Sequence, residues 1–139
     1  MNTYDPALVV PSFAGNKLGG FADGTFIEVE RNEDGFTLAV GASGETVRAQ
    51  SRNRSGRITF TVLQSSVTND ILSAMANDDE LLGTGVGEFQ LVEINGTTLV
   101  HAQNAWVMKA PKIERGKEIS NVVWVLEADS IEIYAGGLL

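Results

Sequence analysis

The sequence predicts a mainly β protein: an antiparallel arrangement of eight or nine short strands with a single α-helix. Three observations carry that reading. Apolar and polar residues alternate with a period of two in several segments, as in Ile58, Phe60 and Val62 against Arg57, Thr59 and Thr61. Short turn signals separate these segments, the strongest being Asn95-Gly96, and strands joined by such turns pair as antiparallel hairpins. Only after Ser65 does the spacing become helical, with Val67, Ile71, Leu72 and Met75 on one stripe.

The first 24 residues hold Pro6, Pro11 and glycines 15, 19, 20 and 24. They read as an extended arm leading into one domain over 25–139. The arm's Leu8, Val9, Val10 and Phe13 require a surface to cover them, and another chain could supply it. Strands follow at 25–31 and 36–40, joined by the turn Asn32-Glu33-Asp34-Gly35, and at 46–50 after Gly41-Ala42-Ser43-Gly44. A polar, basic loop at 51–56 leads into the alternating strand that ends near Gln64.

Ser65 or Ser66 is placed to cap the helix by accepting a free amide two or three residues on, and Asp70 sits well near the positive end of the helix dipole. Asp78, Asp79 and Glu80 would lie against the negative end, so the helix is expected to stop near Asn77. Strands over 88–94, 97–102, 105–109, 121–126 and 130–134 complete the count. The helix is expected to cover one face of the sheet.

A single domain suits 139 residues, and a chain of this size buries roughly 70% of its unfolded surface without needing a covalent staple. The absence of cysteine excludes disulfide scaffolds, thiolate zinc sites and thiol nucleophiles. The net charge of −8, from 18 acidic and 10 basic residues, opposes adhesion to phosphate backbones. No basic-then-apolar leader precedes Pro11, and no apolar run reaches the ~18 residues of a membrane helix. The chain therefore reads as a soluble acidic domain made in the cytoplasm.

No catalytic constellation emerges, and the chain is expected to be no enzyme and to hold no cofactor or metal. His101 is the only histidine and has no partner for a zinc site. Ser65 and Ser66 lack a G-x-S-x-G setting. The glycines of GTGVGEF precede a strand instead of opening a helix, and no Gly-Lys-Ser/Thr follows. Trp106 and Trp124 are aromatic anchors, at least one for the core; a sugar-binding platform is the less favoured use.

The run GFADGTFIEVERNEDGFTLAVGASGE, then SGRITFTVLQSSVTNDILSAM with acids after it, resembles the tail tube proteins of contractile-tailed bacteriophages. The Gly-Thr-Thr at 96–98, the NAWVMKAP segment and the terminal strand ending in Ala-Gly-Gly fit the same order. The resemblance spans residues 3–137, and VLQSSVTNDILSAM is its most specific part.

This resemblance implies a β-sandwich or half-barrel flanked by one helix. Six copies would close into a ring, and stacked rings would form the inner tail tube of the virion, through which double-stranded DNA passes without sequence-specific binding. Implied partners are further copies of the chain, the tail sheath protein, the tape measure protein, and the baseplate and tail terminator proteins. Strand alternation makes Glu28, Glu30, Glu88 and Gln90 candidates for the channel face. Arg48, Arg52, Arg54 and Arg57 cluster around one loop and are candidates to meet Asp78, Asp79 and Glu80 of the next ring. Another ring-forming tail component, such as a terminator or baseplate ring, and a monomeric sugar- or ligand-binding β-sandwich are the alternatives.

Overall fold

The structure, a computed structural model, describes residues 2–139. Ten strands and one helix follow in the order β1 (Val9–Phe13), β2 (Asn16–Lys17), β3 (Ile27–Arg31), β4 (Phe36–Val40), β5 (Thr46–Gln50), β6 (Gly56–Leu63), α1 (Thr68–Leu82), β7 (Gly87–Glu93), β8 (Leu99–Val107), β9 (Asn121–Ala128) and β10 (Ile131–Tyr134). Eight strands form one antiparallel sheet in the order β2-β1-β7-β8-β9-β6-β3, with β10 also on β8. β4 and β5 form a separate two-stranded ribbon.

The first 24 residues are not an external arm. β1 pairs with β7 from Val9↔Glu93 to Phe13↔Phe89, and Phe13 and Leu18 are fully buried. Pro11 suggests a break in the sequence, but it is harmless here. Ala14 N–H bonds to Glu88 O of β7 and Leu8 O accepts Ile94 N–H just past its end, so by alternation the nitrogen of Pro11 faces away from that ladder, where its missing N–H breaks no bond to β7. The Pro11 carbonyl accepts the Leu18 N–H at 3.0 Å.

The chain next crosses to the far end of the sheet. Leu63 N–H bonds to Gly20 O at 2.8 Å and Ala22 N–H to Thr61 O at 3.0 Å. These bonds stitch one end of the seam between β1 and β6. Gly20 has φ +68°, and a Cβ there would collide with the Ser66 side chain. Gly20→Ala is accordingly expected to cost about 1–3 kcal/mol, measured by chemical denaturation.

The core lies on the concave side of the curled sheet. Phe13, Ile58, Phe60, Phe89, Trp124, Leu126 and Ile131 meet there with Leu72 of α1, each large apolar side chain contributing about 1.5–3 kcal/mol on burial. The helix thus covers one face of the sheet. Its start is clamped to Gly19: the Thr68 hydroxyl donates to Gly19 O at 2.7 Å and accepts Gly19 N–H at 2.9 Å, while Ser66 Oγ accepts Thr68 N–H at 3.1 Å.

Two helix expectations are corrected. Val67 occupies the cap position and is 63% exposed instead of joining the buried stripe. The helix also runs through the acids to Leu82, where Gly83 takes the left-handed conformation and its N–H bonds to Asp79 O. An αL glycine is a strong stop, and the unfavourable dipole term of the acids amounts to only about 0.3–1 kcal/mol.

Two strand expectations change as well. The segments expected at 97–102 and 105–109 form one strand, β8, whose buried residues shift phase from Val100 and Ala102 to Ala105 and Val107. That shift imitates a strand break in the sequence. It sits opposite Asp129, whose N–H bonds to Asn104 O. Finally, β3 and β4 do not form a hairpin across Asn32–Gly35, because β4 pairs with β5 alone.

Candidate assembly surface

β3 presents one free edge. Phe26 O accepts Thr61 N–H of β6, and Asn32 N–H bonds to Ser55 O just before that strand, so alternation turns the backbone groups of Ile27, Val29 and Arg31 outward, where they have no partner among the described residues. Beside this edge the seam stays open as a cleft of about 360 Å³ lined by Tyr4, Val9, Phe26, Ile27, Leu91 and Glu93, among others. An unpaired strand edge is a template for further pairing unless it is blunted.

The β4–β5 ribbon is the second feature. All ten of its strand residues are exposed, including Phe36 at 51%, Leu38 at 69%, Val40 at 64% and Val47 at 63%. Register puts Phe36, Leu38, Val40, Thr46, Arg48 and Gln50 on one face and Thr37, Ala39, Val47 and Ala49 on the other. The Arg48 guanidinium lies 4.3 Å over the Phe36 ring. A two-stranded ribbon alone in water is marginal at best. The sequence shows the strands of the ribbon but not their isolation; the only signal is that neither strand alternates strictly apolar with charged.

The channel candidates stand on the outer face of the main sheet. Glu28 and Glu30 are exposed on β3; Glu88 is exposed and Gln90 half-buried on β7. The two pairs lie on strands far apart in the sheet order and form no single cluster. Glu88 Oε1 lies 3.4 Å from His101 Nε2, and Gln90 is in register with His101.

The basic candidates are also dispersed. Arg57 Nε pairs with Glu127 Oε2 at 3.4 Å. Arg54 borders a shallow hollow of about 250 Å³ with Arg31, His101, Glu132 and Tyr134. Arg48 and Arg52 are exposed, as are Asp78 and Glu80 at the far end of α1, whereas Asp79 is half-buried and accepts Gly85 N–H at 3.3 Å.

No group of three or more His, Cys, Asp or Glu able to hold a metal occurs among the described residues. Trp124 is 2% exposed and donates from Nε1 to Asn69 Oδ1 at 2.8 Å, so it serves the core and the helix contact and offers no sugar platform. Trp106 is half-buried on the outer face.

A curled antiparallel sheet plugged by one helix, with an unpaired edge and a bare apolar ribbon, defines a structural β domain with surfaces suited to further chains. The chain belongs to the Bacteriophage PhiTE tail tube protein family, whose model matches residues 10–136. It is 26% identical over 122 residues to Structural protein ORF10 of Pseudomonas phage KPP10, covering 86% of this chain and 70% of that protein.

Solved structures share the fold. The sheath/tube terminator of the PVC extracellular contractile injection system in its extended state superposes with a TM-score of 0.65 at 14% identity, over 97% of this chain and 99% of that one. The tube terminating cap of the anti-feeding prophage gives a TM-score of 0.62 at 11% identity, over 96% and 92% of the two chains. A chain of the PVC sheath-tube complex gives 0.62 at 12% identity over the same shares. The protein is thus a tail tube-associated structural protein of a phage and a component of the virion.

Proposed function

We propose that the chain is the repeating subunit of the inner tail tube: six copies close into a ring, rings stack, and the lumen conducts the phage DNA during ejection. The bare β4–β5 ribbon carries this reading, because four large apolar side chains exposed on one projection call for another chain. Membership of a tail tube family supports the same conclusion. A contact between two different surfaces of one chain closes into rings or propagates as a filament, which suits a ribbon and an edge that are distinct surfaces.

In this assembly Glu28, Glu30, Glu88 and Gln90 face the channel. Their polarity and the net charge of −8 favour release of DNA over binding, since a wall neutralising several phosphates would hold the duplex with strong salt dependence. Arg52 and Arg54 lie between rings and face Asp78 and Glu80 of the next ring; Arg48 stays with the ribbon over Phe36, and Arg57 and Asp79 already have intrachain partners. The tail sheath protein surrounds the tube, the tape measure protein occupies it before ejection, and the baseplate and terminator proteins bound its ends. The protein performs no chemistry.

Negative-stain microscopy of the purified protein tests the reading. Hollow tubes of uniform diameter are expected, from the protein alone or after seeding with baseplates. Isolated rings that never elongate would identify a terminator or baseplate ring. A chain that stays monomeric with a seed would overturn the proposal.

A further inference from the structure

We infer that the β4 edge of one copy adds antiparallel to the free β3 edge of a second copy, seating Phe36, Leu38 and Val40 in the open seam. This rests on the self-assembly reading above and names the surfaces that meet. Each surface lacks what the other offers: one is an unpaired edge beside an apolar cleft, the other an unpaired edge carrying apolar side chains.

Backbone parity selects the strand and its direction. On β3 the outward-facing backbone groups belong to Ile27, Val29 and Arg31, and Ile27 and Val29 pack their side chains against the core. On the ribbon, Gly41 bonds to Glu45 and Ser51 to Gly35. The free edge of β4 is therefore made by Phe36, Leu38 and Val40. In an antiparallel pair, hydrogen-bonded partners place their side chains on the same face. Antiparallel addition thus brings all three large apolar residues to the side of Ile27, Val29 and the cleft. Parallel addition would instead turn them outward beside Glu28 and Glu30.

The lengths agree, with five residues in each strand. Setting Leu38 opposite Val29 pairs all five, with Ala39 opposite Glu28 and Thr37 opposite Glu30. This is also the register in which β4 would fold back on its own β3 across Asn32–Gly35. The structure leaves that position vacant and holds the ribbon away, its base tied by Asn32 Nδ2 to Ser55 Oγ at 2.9 Å and by Ser51 Oγ to Glu33 at 3.1 Å. The contact is therefore a hairpin made between chains instead of within one.

The cysteine-free background allows a direct test. Ala39 and Glu28 are both exposed and would form a non-hydrogen-bonded pair with Cα atoms about 4.5 Å apart, close enough for a disulfide. Chains carrying Ala39→Cys and chains carrying Glu28→Cys are mixed, assembled and oxidised. A disulfide-linked heterodimer is expected at about tenfold the yield of an Ala39→Cys with Glu80→Cys mixture, which probes the helix end instead.

Tubes that form with no Ala39–Glu28 crosslink, or that prefer the Glu80 pair, would overturn the edge contact and leave the tube reading standing. An intrachain crosslink in the Ala39→Cys/Glu28→Cys double variant, with none between chains, would overturn it in favour of the ribbon folding onto its own β3. Failure of the wild-type chain to polymerise with a seed would overturn both readings.

Discussion

Replacing residues 36–50 by a short Gly-Ser turn is expected to abolish tube formation while leaving a folded monomer. All ten strand residues of the ribbon are exposed, so its loss uncovers none of the buried core. The cut is local because Ser51 N–H meets Gly35 O at 2.8 Å and Asn32 N–H meets Ser55 O at 3.1 Å, which holds the two ends together. Assembly loses much more. Three large apolar residues at about 1.5 kcal/mol each or more correspond to at least about a thousandfold in the concentration needed to polymerise. Circular dichroism with sedimentation checks both halves. An unfolded variant would show that the ribbon serves the domain, and a variant that still polymerises would remove it from the interface.

The second large effect is in the core. Phe13→Ala is expected to destabilise the monomer by about 3–5 kcal/mol, lowering the melting temperature by roughly 10–17 °C. Phe13 is fully buried, packs in the same cluster as Phe89 and Phe60, and pairs in register with Phe89. An external arm would give almost no change on the same substitution. Thermal melts of dilute monomer therefore separate a segment that completes the sheet from one that reaches another chain.

These two cases mark where the sequence was legible. Strands whose alternation is strong appear within a residue or two of their expected bounds, as β3 and β6 do, because a half-buried strand writes its two faces into a period of two. β4 and β5, exposed on both faces, are bounded instead by the turn residues around them. Partner choice is a different matter. Nothing in FTLAV distinguishes a strand in the main sheet from one in a free ribbon, since pairing depends on contacts far along the chain. β1 is hidden in the sequence because Pro11 reads as a strand breaker, and its harmlessness follows only from the direction its nitrogen faces.

The surface was readable in part. Exposure of Glu28, Glu30 and Glu88 follows directly from alternation. The basic residues looked like one cluster because they are close in sequence, yet Arg57 is drawn to Glu127 across the β6–β9 ladder while Arg48 stays on the ribbon over Phe36. The cleft beside β3 has no local signature at all, because Val9, Phe26 and Leu91 meet there from three distant segments.

The two tryptophans stand on opposite sides of the sheet, Trp124 sealed under α1 and Trp106 half-open on the outer face. The protein therefore carries two intrinsic optical reporters that need no label. Emission from Trp124 follows the seating of the helix, while that from Trp106 follows the wetting of the outer wall. Because the two indoles stand on different sides of the sheet, variants that keep one tryptophan at a time resolve the seating of the helix and the wetting of the outer face as separate signals.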